Sequence, residues 1–299
     1  VSGYSGVSGF SGYSGISGYS GTSGASGWSG YSGTSGYSGA APGLATPTVY
    51  GSVYACTHIS GTCNTAVGYC AMNTEGAGSS LNTALGWSSY TNADGIANTV
   101  VGANTLLNCV SSLCNTVIGT SAMGGATSNA IGNVVIGYQS LCSSLSTTNS
   151  IAIGVGAFAN SSNAPSPPSS QCENIAIGSC ALYYGSTGWD IAIGQYAGCQ
   201  AMDGCNITVG ACSLVFGGQA NVALGHGAMM GSAYGGGSGS GSGSGAYPQD
   251  FYNVAVGFCA MGGTACCNCC NVGVGACALA NATNMSATTA VGYAAGCAG

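Results

Sequence analysis

From residue 64 onwards the chain repeats one phrase: a polar residue, a variable residue, a small apolar residue, a β-branched residue or Leu, then Gly. The first seven copies end at Gly68, Gly86, Gly102, Gly119, Gly137, Gly154 and Gly178 (NTAVG, NTALG, NTVVG, NTVIG, NVVIG, SIAIG, NIAIG). Six more end at Gly194, Gly210, Gly225, Gly257, Gly275 and Gly292 (DIAIG, NITVG, NVALG, NVAVG, NVGVG, TTAVG). Asn opens ten of the thirteen copies: Asn64, Asn82, Asn98, Asn115, Asn133, Asn174, Asn206, Asn221, Asn253 and Asn271. Three residues after each Gly stands Ala, Ser or Thr, and the next residue is usually Leu, Met, Phe or Tyr. Such a short period, with one brief β-branched run per copy, predicts a β-solenoid coil. Each coil would run a strand through N-x-A-V, turn at Gly, pass through a second short segment and return by a polar loop. The expected fold is all-β, a parallel β-solenoid or β-roll of about 13 coils over 61–299, roughly 60 Å long at ~4.8 Å per coil. Gly would supply a positive φ or a close approach between coils, and the Asn side chains would stack into a hydrogen-bonded ladder. Val and Ile of each phrase are expected in a thin core. The Leu and Met that follow are expected to form an exposed apolar stripe.

Most spacings between repeat glycines are 15 to 18 residues; two are 24 and 32. The first long gap holds the Pro/Ser loop 161–171 and the second a Gly/Ser segment within 230–252, both read as insertions on the outside of the stack. A different period rules 1–39, which spells X-S-G thirteen times with Gly at every third position. A strand would scatter those glycines over both faces, and a helix would smear them. A threefold extended helix of the polyproline II kind puts Gly, Ser and the aromatic-rich X positions on separate ridges. The tract reads as a stalk, with a polyglycine-II-like bundle or a low-complexity tail as alternatives, and 40–60 as a linker.

The strict Gly period resembles collagen-like segments of viral and bacterial surface fibres, although 1–39 contains no Pro. The phrase N-T-A-[VIL]-G-x-x-[AS]-[LM] resembles the repeats of phage and large-virus tail-fibre proteins. It is also similar to the head repeats of trimeric autotransporter adhesins. These resemblances imply a scaffold that trimerises, at a virion surface or outside the cell.

Composition narrows the function. The 299 residues contain no Lys or Arg, six acids and 56 Gly. Phosphate neutralisation, Schiff-base chemistry and cationic phosphate clamps are excluded, so no nucleic-acid partner is expected. No apolar run reaches the ~18 residues of a membrane-crossing helix, so no membrane insertion is expected. A chain beginning at Val1 reads as processed or fragmentary.

Eighteen Cys suggest an oxidising setting, with small buried thiols as the alternative. They follow the repeat. Cys70, Cys180, Cys212, Cys259 and Cys277 stand two residues after the Gly, while Cys63, Cys114, Cys205 and Cys270 stand five before it. Equivalent positions in adjacent coils would lie roughly 5 Å apart, within disulfide reach, as for Cys259 and Cys277. These nine, with Cys266, Cys267 and Cys269, are the disulfide candidates. The cluster C-C-N-C-C at 266–270 could hold a metal in principle, but one short stretch does not aim four thiols at one ion.

The G-x-G-x-x-A matches at 154–159 and 273–278 are copies of the repeat, and a dinucleotide site needs a helix after the glycines. His58 and His226 are isolated. The acids Glu75, Asp94, Glu173, Asp190, Asp203 and Asp250 form no recurrent pair, and Asp190 replaces a ladder Asn. Sequons stand at Asn160, Asn206, Asn281 and Asn284. No catalytic residue, cofactor or metal is expected. The sequence therefore points to a structural fibre subunit that self-associates as a homotrimer or polymer. The alternative is an adhesin or tail-fibre tip that recognises a cell-surface glycan or receptor through its inserted loops.

Overall fold

The computed structural model describes residues 48–50, 62–73, 79–91, 94–109, 111–125, 129–142, 146–159, 171–184, 188–201, 204–214, 216–217, 219–230, 252–263, 269–282 and 285–297. All belong to the second of two compact units, Ala45–Gly299. The stalk at 1–39 lies outside the described residues. Among the described residues the protein is all-β, without helix.

One parallel sheet of fourteen strands organises the solenoid. Thirteen strands are the thirteen repeat phrases, each three residues long, from Thr65–Val67 through Ile151–Ile153 and Ile191–Ile193 to Thr289–Val291. Each pairs with the next in full register: Thr65 with Thr83, Ile151 with Ile175, Ile191 with Ile207, Val272 with Thr289. The fourteenth, Thr48–Tyr50, precedes them and pairs with Thr65–Val67. It lies inside the stretch read as a linker, where Pro47 occupies the Asn position and hides the phrase.

The register survives both long gaps. Ile151–Ile153 pairs with Ile175–Ile177, and Val222–Leu224 pairs with Val254–Val256. A second parallel sheet of five strands forms the facing wall at Gly95–Ile96, Ser112–Leu113, Asn129–Ile131, Ser146–Thr148 and Gln171–Cys172.

The core reverses two expectations. Side chains alternate across a strand, so the Asn that opens a phrase and the residue two further on share a face. That Asn is buried, and so is the strand centre: Ala66, Ala84, Val100, Val117, Val135, Ala152, Ala176 and Ala192. The β-branched residues beside the centre therefore point outward. Ile118, Ile136, Ile177, Ile193 and Val209 are exposed rather than buried in the core. Conversely, the Leu and Met of the following segment fill the interior. Leu106, Met123, Leu141, Leu182, Leu214, Met261 and Leu279 are fully buried, as are Tyr90 and Phe158. Small strand centres leave room for these large side chains from the opposite wall. The apolar stripe of this molecule is thus made of strand residues.

The segment after each Gly is seldom a strand. Its second and fourth residues repeatedly adopt left-handed conformations, as at Gln139 (φ 51°) and Leu141 (φ 50°), or Cys180 (φ 55°) and Leu182 (φ 49°). Non-glycine residues enter this region only when their surroundings hold them there. Here the holding groups are other coils. Leu141 donates its main-chain N–H to Ala157 O at 2.8 Å, and Gln139 donates to Thr120 O at 3.1 Å. The turn is thereby hydrogen-bonded to the coils on both sides.

Candidate functional site

The repeat concentrates its chemistry into columns that run from coil to coil. The innermost column is the Asn ladder. The main-chain N–H of Asn82 donates to Asn64 Oδ1 at 2.9 Å, and Asn98 donates to Asn82 Oδ1 at 2.9 Å. The side-chain amides of Asn82, Asn98, Asn115, Asn133 and Asn271 also donate to two sides. Asn98 Nδ2 reaches Asn82 Oδ1 at 2.9 Å and Ser112 O at 2.9 Å. Asn115 Nδ2 reaches Asn98 Oδ1 at 2.9 Å and Ala130 O at 2.8 Å. One side chain thus ties its own coil to the preceding coil and to the facing wall. The pattern continues across the longest gap, where Asn253 donates its main-chain N–H to Asn221 Oδ1 at 3.0 Å.

Three rungs depart from Asn. Asn174 donates its main-chain N–H to Ser150 Oγ at 3.3 Å, a longer contact than the Asn rungs make. Thr288 closes the series by donating to Asn271 Oδ1 at 2.9 Å. Asp190 is fully buried, and its Oδ1 accepts both the main-chain N–H and the Nδ2 of Asn206, at 2.9 and 3.0 Å.

Beside the ladder runs the glycine column. Gly68, Gly86, Gly102, Gly119, Gly137, Gly154, Gly178, Gly194, Gly210, Gly225, Gly257, Gly275 and Gly292 all have φ between 126° and 142°. In each but the last, a Cβ would also press on the carbonyl of the repeat glycine in the next coil; at Gly194 it would lie 2.6 Å from Gly210 O. The column requires glycine on both grounds.

The repeat-linked cysteines sit in the turns on either side of the ladder strand. Cys63, Cys114, Cys205 and Cys270 occupy left-handed residues just before the ladder and are exposed. No two of them fall in adjacent coils. Cys180, Cys212, Cys259 and Cys277 occupy the left-handed position after the Gly and are half-buried. Cys70 holds the same position and is disulfide-bonded. The other candidates among the described residues, Cys63, Cys114, Cys180, Cys205, Cys212, Cys259, Cys269, Cys270 and Cys277, are free thiols. Cys259 and Cys277 are neighbours without being linked: burial, and then the Cys277 sulfur, push the Cys259 thiol pKa up. Cys266 and Cys267 lie outside the described residues; Cys269 pairs with Ser286 of the next coil by a main-chain β-bridge, its sulfur 3.4 Å from Ser286 Oγ.

The residues singled out for other chemistry are dispersed. His226 stacks on Phe258 with ring centroids 5.4 Å apart. Glu173 accepts a hydrogen bond from Trp189 Nε1 at 2.8 Å. His58, Glu75, Asp203 and Asp250 lie outside the described residues. Of the sequons, Asn206 is a buried rung and Asn281 is exposed; Asn160 and Asn284 lie outside the described residues. No group of three His, Cys, Asp or Glu among the described residues could hold a metal ion. Both G-x-G-x-x-A matches run from a strand into a turn rather than a helix, so they lack the helix N-terminus that would hold a phosphate.

The feature that motif reading passed over is the outer face of the fourteen-stranded sheet. Parity alone could have found it, since it follows from placing Asn inside. Comparison of the chain with family models, curated proteins and solved structures finds no match.

Proposed function

We propose that the protein is a structural subunit of an extracellular or virion-surface fibre, a rod that works by assembling with its own copies as a homotrimer or a polymer. The observation that carries this reading is the in-register sheet with its Asn and Gly columns. It commits the repeat's polar and glycine positions to internal hydrogen bonding and close packing of coils, which is how a scaffold is built. The resemblance of the repeat phrase to tail-fibre and adhesin-head repeats supports the same reading and supplies the proposed location. Negative-stain microscopy of the intact chain tests it. Fibres, or bundles of laterally associated rods, are the expected result. Discrete single rods of fixed length would instead favour a receptor-binding tip, with loops 161–171 and 230–252 as the contact points.

A further inference from the structure

The outward face of the main sheet carries two parallel columns of side chains, one on each side of the buried strand centre. In the first column the early coils place Thr65, Thr83, Thr99 and Thr116, and the last places Thr289. Between them, over the eight strands from Val134–Ile136 to Val272–Val274, every outward residue in both columns is Val, Ile or Leu. The tract is apolar on both columns and closed by Thr at each end. No outward position of the sheet carries a charge. Stacked side chains shield one another along a column, yet Ile136, Ile177, Ile193, Ile207 and Val209 remain exposed.

We propose that this tract is the interface between two copies of the chain, packed sheet face to sheet face. The inference rests on the self-assembly reading and assigns it a surface. Three observations select a second copy as the occupant. Covering sixteen half-exposed aliphatic side chains from each partner would bury on the order of 1,500 Å², the size of a stable specific interface. The columns repeat at ~4.8 Å, and a surface with that same rise can interdigitate with them along the whole tract, as in a steric zipper. A second copy has that rise by construction. The face also lacks charges that would repel its own image. Pairing of identical faces closes with two copies, so it fits the polymer rather than the homotrimer, and the fibre adds its further contacts elsewhere.

The test replaces apolar area without disturbing strand formation. Thr occupies the first column in five coils, so the triple variant Ile175→Thr, Ile191→Thr, Ile207→Thr keeps a residue type the sheet accepts and preserves β-propensity. Sedimentation velocity of the intact chain at micromolar concentration should show the unaltered protein well above 28.6 kDa. The triple variant should associate at least tenfold more weakly, with an unchanged circular dichroism spectrum. An assembled triple variant of equal affinity overturns the face pairing and leaves the assembly reading standing. An unaltered chain that sediments as a monomer overturns both. Radical footprinting of the unaltered protein gives a second readout that needs no variant. Ile193 and Ile207 should label less when concentrated than when dilute; equal labelling overturns the proposal.

Discussion

The solenoid has two cores and one ladder. Buried apolar side chains form one cluster from Ala66 to Ala197 and a second from Leu214 to Ala290. The main-chain ladder crosses the seam without a break: Ile191 pairs with Ile207, and Ile207 pairs with Val222. Three successive departures from the repeat coincide there. Asp190 replaces a rung, Gly198 stands where all the other coils but the last place Leu, Met, Phe or Tyr, and Thr208 replaces a small apolar strand centre. Thr208 is buried and donates from Oγ1 to Ile191 O at 3.0 Å, spending a core position on a hydrogen bond. Register and core are therefore separable in this fold. Glycine, Asn and main-chain pairing set where the next coil goes, while the Leu and Met column decides how tightly it is held.

The strongest way to break the comparison is to attack what both stretches share. Gly194→Ala combines a left-handed φ of 134° with a Cβ placed 2.6 Å from Gly210 O. A cost of about 4 kcal/mol or more is expected, seen as loss of cooperative unfolding, with the cores on either side intact. Next in size is Leu182→Ala. The Leu182 side chain fills the space that Gly198 leaves open: a Cβ on Gly198 would lie 3.0 Å from Leu182 Cδ2. Its removal should cost about 4 kcal/mol, roughly 1 kcal/mol more than Leu141→Ala in the regular stretch, because the larger cavity has no neighbour to collapse into it. Equal costs in urea melts would mean that the seam is packed as well as the rest.

Asp190→Asn should act in the opposite direction. The Asn rungs donate through Nδ2 to the preceding rung, which a carboxylate does not do, and burying a carboxylate opposes folding. A gain of about 1–2 kcal/mol at neutral pH is expected in the same melts. A further effect is alkaline. Burial pushes the Cys199 thiol up to about 11 and the Tyr90 hydroxyl up to about 12. Each folded-state value lies above the unfolded one, so the unfolded chain releases its proton first. Stability is fully present below about pH 9 and falls as pH rises to 11 through Cys199, then further towards 12 through Tyr90. Melts at pH 8, 10 and 11 check the order, and Cys199→Ala should remove the first step.

The thirteen strands and both polar and glycine columns were legible because each is spelled at a fixed offset from a Gly. The strand at Thr48–Tyr50 was not, since Pro47 and Tyr50 disguise the phrase. The interior departs from the expectation for a physical reason. Residue type marks Val and Ile as core formers, but parity decides, and the buried Asn consumes the inward parity. The left-handed turn residues had no signature at all, because ordinary residues such as Gln139 and Leu141 are held there by neighbouring coils rather than by their own preferences.

Among the described residues each coil hydrogen-bonds to the coils before and after it, and register resumes unchanged across spacings of 24 and 32 residues. Rod length is consequently a heritable variable rather than a fixed property of the fold. Duplication of one coil's worth of coding sequence would add ~4.8 Å of reach and disturb nothing two coils away. A lineage could tune how far such a rod projects by gaining or losing copies, one increment at a time, and could add a loop at any coil without redesigning the shaft.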